Sequence, residues 1–412
     1  MRVDSSSLLK VDLVEEPKLV TSFNDEPKFP TYSCLPTKSF LQEYKIDPKL
    51  SYGVGSADKA HADIAKSKAI GECIERSCLQ IIPKSIHDTK FPGSEQKYVD
   101  PTLFVHYEFS RVGRYSSNAI KYAKYAWYRS YDYFNKKFVY IPAQTIFLTN
   151  KFFIKEPALL KETITTGAAF GKIGEEELFK TALLEVVERD AFILSYSTKK
   201  AVNKVIELPQ EVQDLVSYLD RYNLKTYILD ITTDLDIPVF AVVVIDKTGL
   251  GPAVSIGAKA GFDYENTIKE ALLEAVRPRS TLRFRHFTKT SKKRVKETGI
   301  RSLEDRLEYW YDVDKLKYLN FWLDGKRTIK YCEIRHKNDS LHKGIKELKD
   351  RRYRIFVTSV GIPAIKRLGF DVIKVNVPEL HPLYLNENAK VLYSKHAGLI
   401  KEIAGLKPQP FG

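Results

Sequence analysis

The sequence is poor in cysteine and has no long apolar run. Its four cysteines, Cys34, Cys73, Cys78 and Cys332, show neither a paired metal-binding spacing nor a disulfide framework. We interpret them as reduced thiols in a cytoplasmic protein. The longest apolar run, Val239 to Ile245, is far shorter than the roughly 20 residues that cross a bilayer. The first residues lack the basic and apolar segments of a secretory signal, so we expect no contact with a membrane.

Four common catalytic and nucleotide-binding motifs are also missing. The chain has no Gly-x-x-x-x-Gly-Lys-(Ser/Thr), no Gly-x-Gly-x-x-Gly after a strand, no His-Glu-x-x-His and no Gly-x-Ser-x-Gly. These absences exclude the P-loop and Rossmann nucleotide sites, the zinc-protease helix and the nucleophile elbow of α/β-hydrolases. A nucleotide site in this chain therefore has to be of an uncommon type.

The composition is that of a large basic globular protein. A chain of 412 residues exceeds one simple core, which indicates two lobes or one large α/β domain. Its net charge of +14 favours acidic partners such as nucleotides, acidic peptides, nucleic acid or a membrane surface, although a lysine-rich proteome gives the same charge without any partner. Residues 283–301 carry eight Lys or Arg against one acid, Glu297. Such a run is either a solvated face or a docking surface.

A repeated pattern of glutamates is the main positive feature. Residues 68–76 read KAIGECIER, residues 181–189 read TALLEVVER, and residues 270–278 read EALLEAVRP. Glu72, Glu185 and Glu274 occupy the same place in the three segments, and a hydroxyl residue and glycines precede each one. We predict a glycine turn followed by a Glu-bearing helix, three times over.

The carboxylates of the first two repeats point to a cation site. Residues three apart share a helix face, so Glu72 and Glu75 point the same way, as do Glu185 and Glu188. No His follows at the spacing of a di-iron site, so Mg²⁺ with phosphates is the better interpretation. The alternative is a solvent-facing row of salt bridges, which suits the first helix. The second helix is apolar nearly all round, and its buried carboxylates need a partner or a metal.

Strands alternating with helices predict an α/β protein with mixed sheets. We expect an irregular N-terminal arm over residues 1–45 and a catalytic domain over residues 46–412, with a basic and aromatic insertion at residues 283–354. The predicted motif helices cover residues 58–82, begin near residue 174, and cover residues 263–276. Further strands are predicted within residues 103–148, at 224–230 and at 238–246.

At these repeats the chain resembles the YcaO-domain family, which uses ATP to activate backbone amides of peptides. The resemblance covers about residues 50–280 and continues more weakly to the C-terminus. Its motifs are matched by the following residues: Glu72, Glu75 and Arg76; Thr166 to Gly171 and Glu185 to Ala191; Asp230, Thr232, Asp234 and Pro238; Ala271, Leu272, Glu274, Ala275 and Arg279; Val377 to Tyr384; and Pro408 to Gly412. The departures are Val54 for lysine, Lys68 for serine, Thr165-Thr166 for Ser-Asn, Arg277 for glutamine and Gly412 for a third proline.

The resemblance implies a YcaO-type fold, with ATP and Mg²⁺ as cofactors, and it assigns roles to individual residues. It implies metal ligands at Glu72, Glu75, Glu185 and Glu188. It implies nucleotide contacts at Ser51, Lys68, Arg76, Thr166, Arg189, Glu274 and Arg279. It implies a catalytic tail with Pro408, Pro410 and Gly412, in which the terminal carboxylate lies near the reacting amide. We expect the last five residues to serve peptide modification more than folding.

The reaction implied is ATP-dependent cyclodehydration of Cys, Ser or Thr to azolines in a ribosomally made precursor peptide. Backbone thioamidation with a sulfur-delivery partner is the alternative enzyme reaction, and a basic nucleic-acid-binding or scaffold protein is the remote one. The chain shows no fused leader-binding domain, so we expect a separate partner protein for that task. A homodimer stays open, and nucleic acid is not the expected partner.

Overall fold

A computed structural model describes most of the chain as a set of sheets with helices packed on them. The described residues are 11–58, 60–94, 97–105, 117–149, 152–160, 162–288, 295–389, 393–394, 398–399 and 407–411. The strands are β1 Lys18–Leu19, β2 Thr31–Cys34, β3 Gly53–Ser56, β4 His87–Lys90, β5 Lys124–Asp132, β6 Lys137–Pro142, β7 Ala168–Lys172, β8 Asn203–Ile206, β9 Leu224–Asp230, β10 Val239–Asp246, β11 Val254–Ala260, β12 Thr328–Lys330, β13 Phe356–Ser359, β14 Phe370–Asn376, β15 Tyr393–Ser394 and β16 Gly398–Leu399.

The helices lie between and beside these strands. They are α1 Lys38–Tyr44, α2 Pro48–Ser51, α3 Ala62–Cys78, α4 Ser117–Lys121, α5 Glu176–Ser197, α6 Gln210–Asp220, α7 Tyr264–Val276, α8 Arg279–Phe287, α9 Leu303–Tyr309, α10 Asn320–Leu323, α11 Leu341–Asp350 and α12 Pro363–Arg367. No helix in the described part of the chain is long and apolar enough to cross a membrane.

Three larger sheets carry the fold. Their strand orders are β1-β2-β3, β11-β10-β9-β8-β12 and β4-β5-β13-β14-β7, and β6 pairs with β5 beside the third. β8 and β12 are parallel, whereas β9, β10 and β11 are antiparallel neighbours. The α/β class with mixed sheets that the sequence predicts is therefore confirmed.

The element bounds agree best where the apolar pattern is strongest. β9 has its predicted bounds, and β10, which is buried along its whole length, begins one residue later than predicted. α7 also begins one residue late, because the Asp263 side chain accepts the Asn266 N–H and caps the helix there. α3 is shorter than predicted at both ends. It begins at Ala62 rather than near residue 58, and the chain leaves the helix at Leu79 rather than at Pro83.

Each motif helix lies against an edge strand of a different sheet. β3, β7 and β11 end the three strand orders, and they pack on α3, α5 and α7 respectively. Glycine allows the close approach in β3 and β11. A Cβ at Gly53 would lie 2.1 Å from the Ala69 carbonyl oxygen, and one at Gly257 would lie 2.2 Å from the Ala271 carbonyl oxygen. The prediction that these glycines form turns ahead of the helices is wrong, because they lie in strands beside the helix bodies.

The predicted arm is joined to the rest of the fold through its own strand. β2 pairs with β3 across the predicted boundary between residues 45 and 46, and Cys34 lies opposite Gly53. Cys34 and Phe40 belong to the same buried cluster as Ile70 and Ile74 of α3. The division into arm and domain stays a prediction. The first motif helix, α3, packs against residues on both sides of the predicted boundary.

Candidate functional site

A cavity of about 840 Å³ is lined by residues of α3, α5 and α7. A side chamber of about 310 Å³ shares its wall at Lys68, Glu75 and Arg277 and reaches Phe170 of β7. Eight of the predicted metal ligands and nucleotide contacts line the main cavity: Lys68, Glu72, Glu75, Arg76, Glu185, Glu188, Arg189 and Glu274. The three repeats are thus brought together at one place.

The repeated glutamates bind the free edges of the three sheets. Each accepts a backbone N–H from the edge strand beside its helix or from the residue just before that strand. The pairs are Val54 N to Glu72 Oε2 at 2.6 Å, Gly167 N to Glu185 Oε2 at 3.0 Å, and Ala258 N to Glu274 Oε2 at 3.2 Å. One oxygen of each carboxylate is therefore fixed by the fold, while the other can meet a cation.

In the first repeat, one carboxylate has a close partner and the other does not. Glu72 Oε1 lies 2.6 Å from Arg76 Nη2, and Arg76 also donates to the Tyr52 carbonyl oxygen at 3.3 Å. In the described part of the chain, no hydrogen bond or ion pair holds the Glu75 carboxylate. Burial, followed by the negative charges of Glu185 and Glu72, raises the pKa of Glu75 to about 8. This site has an excess of negative charge that a bound cation would relieve.

Arg189 joins the second and third repeats. Its guanidinium lies 3.3 Å from Glu185, 3.2 Å from Glu188 and 3.8 Å from Glu274. Lys259 of β11 lies 3.6 Å from Glu188 and 3.7 Å from Glu274. Burial raises the pKa of Glu188 to about 7 even though Lys259 and Arg189 oppose the shift. For Glu274 burial acts in the same direction, but Lys259 and Arg189 outweigh it and lower the pKa.

The carboxylates fit Mg²⁺ that is shared with phosphate, and they do not form a closed metal cage. Among the described residues that line the cavity, ten are acidic and seven are basic, so an anionic ligand needs added cations there. No three Asp, Glu, His or Cys side chains of the described residues converge on one metal position. Mg²⁺ does not require that, because it commonly takes one or two carboxylates together with phosphate oxygens and water. The buried Glu188 Oε1 accepts no hydrogen bond in the described structure, although Arg189 Nη1 lies 3.2 Å from it, so this oxygen keeps capacity for such a contact.

Three predicted nucleotide contacts lie outside this cavity. Ser51 is fully buried, donates to the Asp47 carbonyl oxygen and accepts from Gln80. Thr166 accepts the Leu383 N–H at 3.3 Å and borders a separate hollow of about 30 Å³.

The third of these residues, Arg279, is committed to buried ion pairs. It lies 3.0 Å from Glu26 and 2.7 Å from Asp246, and it donates to the Pro252 carbonyl oxygen at 3.0 Å. Its side chain is only 2% exposed. These partners give Arg279 the role of fastening the N-terminal arm to β10.

The C-terminal tail is buried against α5. Pro408, Gln409, Pro410 and Phe411 are all buried, while Gly412 lies outside the described residues. The Pro408 carbonyl oxygen accepts from Trp310 Nε1 and from the Tyr196 hydroxyl, both at 3.2 Å. Phe411 ends this segment with its ring 4.4 Å from the Arg189 guanidinium carbon. The tail therefore contacts the carboxylate cluster through Arg189, the arginine that pairs with Glu185, Glu188 and Glu274.

Four further residues belong to the site although sequence reasoning did not assign them to it. They are Lys259, Arg277, Lys374 and Phe411. Lys374 is fully buried in β14, donates to the Ile164 carbonyl oxygen at 2.9 Å, and has its pKa lowered to about 8 by burial. Arg277 had a signal in the sequence because it occupies a repeat position, and Phe411 lies in the C-terminal segment that the resemblance covers, whereas Lys259 and Lys374 had none.

Comparisons with known proteins identify the family and the fold of this chain. A family model described as YcaO cyclodehydratase, ATP- and Mg²⁺-binding, matches residues 57–381. Among solved structures, a heterocyclase in complex with substrate and cofactor has a TM-score of 0.71 and 16% identity over 93% of this chain and 53% of its own. This chain therefore spans about half the length of that heterocyclase. Curated protein sequences give no match.

Two further structures share the fold over most of both chains. YcaO from Methanopyrus kandleri, bound with AMPPCP and Mg²⁺, has a TM-score of 0.61 and 18% identity over 91% of this chain and 88% of its own. The E. coli microcin synthetase McbBCD complex with pro-MccB17 bound has a TM-score of 0.68 and 13% identity over 96% of each chain. Because the family model covers well over half of the chain, the protein belongs to the YcaO family, whose cofactors are the predicted ATP and Mg²⁺.

Proposed function

We propose that this protein uses ATP and Mg²⁺ to convert Cys, Ser or Thr residues of a ribosomally made precursor peptide into azoline rings. The observation that carries the proposal is the cavity lined by three Glu-bearing helices, two of which share Arg189, with the buried Phe411 of the tail lying against that arginine. The family description and the heterocyclase fold support ATP-dependent peptide cyclodehydration as the class of reaction. The ring type and the substrate peptide are inferred from the resemblance.

In the proposed reaction, the side-chain oxygen or sulfur of a substrate residue loses its proton and attacks the carbonyl carbon of the preceding amide. The resulting oxyanion takes the γ-phosphoryl group of ATP, and ADP leaves. Phosphate then departs with the former amide oxygen while the amide nitrogen gives up its proton and a C=N bond forms. The products are the azoline peptide, ADP and phosphate.

The chain's residues have distinct tasks in this scheme. Glu72, Glu75, Glu185 and Glu188 would hold Mg²⁺, which supplies charge neutralisation at the transferring phosphoryl group. Arg76 and Arg189 present planar guanidinium groups that suit phosphate oxygens. Lys68 and Glu274 complete the proposed nucleotide contacts. Pro408, Pro410 and Gly412 keep the tail beside the reacting amide.

A partner protein is part of the proposal. The microcin synthetase that shares this fold is a complex, McbBCD, with pro-MccB17 bound. We infer by analogy that a separate protein delivers the precursor peptide to this chain. The surplus of basic residues suits an acidic segment of such a peptide or partner.

Mass spectrometry of the peptide product tests the proposal. The protein is incubated with ATP, Mg²⁺ and any short Cys/Ser/Thr-rich peptide that is encoded beside its gene, together with the proteins encoded next to it. Loss of one water per ring, with peptide-dependent release of phosphate, is the expected result. Exchange of oxygen for sulfur when sulfide is supplied would instead identify thioamidation. Salt-sensitive binding of DNA or RNA without any ATP hydrolysis would overturn both readings in favour of a nucleic-acid-binding protein.

A further inference from the structure

The first and third motif repeats correspond residue by residue in space. In both repeats a strand glycine packs on the helix residue that lies three positions before the glutamate. A Cβ at Gly53 would lie 2.1 Å from the Ala69 carbonyl oxygen, and a Cβ at Gly257 would lie 2.2 Å from the Ala271 carbonyl oxygen. In both, the glutamate accepts the N–H of the residue after that glycine. Glu72 and Glu274 are therefore equivalent in structure as well as in sequence. The residues three positions later, Glu75 and Arg277, must then be equivalent too.

The third repeat consequently differs from the other two at one functional position. The first two repeats place a second carboxylate, Glu75 or Glu188, three residues after the repeated glutamate. The third places Arg277 there. All three side chains line the cavity. At this position the first two repeats have a carboxylate that can bind a cation, whereas the third repeat has the positively charged guanidinium of Arg277.

The surroundings of Arg277 leave much of its guanidinium available. Its side chain is 30% exposed and lines both the cavity and the side chamber. It donates through Nη1 to the Val54 carbonyl oxygen at 3.2 Å, and its Nη2 lies 3.9 Å from Glu274 Oε1. A guanidinium has five N–H donors. These two contacts therefore hold the group in place across the gap between α7 and β3 without using up its capacity.

We propose that Arg277 binds phosphate oxygens of the nucleotide directly, at the position where the first two repeats act through carboxylates and Mg²⁺. This inference rests on the proposed use of ATP and adds a residue to it. The planar fork of arginine matches two phosphate oxygens at once, which a carboxylate can do only through a metal ion. The third repeat thus contributes anion binding that does not depend on Mg²⁺.

Calorimetric titration with AMPPCP, at several Mg²⁺ concentrations, tests this assignment. Arg277→Gln should weaken AMPPCP binding roughly ten- to a hundred-fold, since a charge-assisted bidentate contact is lost. Arg277→Lys should recover part of the affinity, because lysine keeps the positive charge but lacks the planar guanidinium that can bind two phosphate oxygens at once. Arg277→Glu recreates the carboxylate of the other repeats. Its loss of affinity should exceed that of Arg277→Gln at low Mg²⁺ and shrink as Mg²⁺ is raised.

Adenosine binding and Lys269→Gln provide the controls. Lys269 is on α7 as well, pairs with the exposed Glu211 and does not line the cavity, so its substitution should leave AMPPCP affinity unchanged. Adenosine has no phosphate, so its affinity should fall much less than that of AMPPCP in Arg277→Gln. Equal losses for both ligands, or none for AMPPCP, would overturn the role of Arg277. Absence of AMPPCP binding to the wild-type protein would instead count against the proposed function.

Discussion

The ring of Phe411 lies against Arg189, with the guanidinium carbon 4.4 Å from the ring centroid. Phe411 is completely buried and also packs on Phe192, one helical turn further along α5, at 4.7 Å between ring centroids. Arg189 contacts carboxylates of two motif helices on its other side. A position on the C-terminal tail therefore fixes the arginine that the carboxylate cluster shares.

Replacing Phe411 by leucine should reduce ATP turnover more than it reduces stability. Leucine keeps an apolar side chain in the buried site but removes the aromatic face, whose contact with a desolvated arginine contributes about 0.5–2 kcal/mol. Peptide-dependent phosphate release and thermal melting would be measured side by side, with Phe411→Tyr as the variant that retains the ring. Equal turnover in the leucine, tyrosine and wild-type proteins would show that the ring does not position Arg189.

The same burial changes what a tail deletion can reveal. The tail is expected from the sequence to serve peptide modification more than folding, but its carbonyl groups are hydrogen-bonded to Trp310 and Tyr196 in the core. Removing residues 408–412 would leave the buried Trp310 Nε1 without its acceptor, at a cost of about 1–3 kcal/mol, whereas Tyr196 would keep the Lys407 carbonyl oxygen at 3.1 Å. Point substitutions are therefore the cleaner experiment.

Glu185→Gln and Glu188→Gln should each abolish ATP turnover while the protein stays folded. Loss of a proposed Mg²⁺ ligand removes charge stabilisation at the transferring phosphoryl group, on the order of several kcal/mol. Folding should tolerate the change, because Glu188 is buried and its pKa is already raised to about 7. Glu177→Gln is the control, since Glu177 also lines the cavity but forms an exposed pair with Lys180. Near-normal hydrolysis in both test variants would return these glutamates to a purely structural role.

The carboxylates could be found in the sequence because they repeat. Three copies of one spacing, with glycines in step, leave a pattern that a single sequence can show, and β9 and β10 are evident from their apolar runs. Lys259 and Phe411 leave no such pattern, since only tertiary packing brings β11 and the tail to α5. Arg279 was assigned to the nucleotide by resemblance. Its buried partner Glu26 lies far away in the sequence, and no local pattern announces that pairing.

Gly257→Ala should destabilise the protein by roughly 1–3 kcal/mol, the usual cost of overpacking. The added Cβ would lie 2.2 Å from the Ala271 carbonyl oxygen and 2.6 Å from the Ala275 nitrogen, and helix backbone cannot move aside as a side chain can. Because Glu274 accepts from the next residue of β11, the carboxylate should shift as well and nucleotide affinity should fall. Denaturant unfolding would measure the first effect. Gly325→Ala is the matched control, since its nearest neighbours lie 3.6 Å away.

Raising the pH should weaken the attachment of residues 334–340 to the turn between β9 and β10. His336 is 7% exposed and lies 3.4 Å from Asp230 and 3.2 Å from Asp236. Burial alone would lower its pKa, but the hydrogen bonds and charges of the two aspartates outweigh it and raise the pKa of His336 above 6.5. The folded protein thus holds this proton more tightly than the unfolded chain does. The stabilisation is complete below the unfolded pKa and is lost as the pH rises through the raised folded pKa.

Thermal melting of the wild type and His336→Gln, between about pH 6 and pH 9, checks this expectation. At the acidic end the wild type should be more stable by on the order of 2 kcal/mol, the contribution of a hydrogen bond between charged groups. The difference should shrink towards the alkaline end, because neutral His336 no longer attracts the two aspartates. His342→Gln, at an exposed position of α11, is the control and should follow the wild type throughout. A difference between wild type and His336→Gln that stays constant with pH would mean that packing, and not the proton on His336, holds this segment in place.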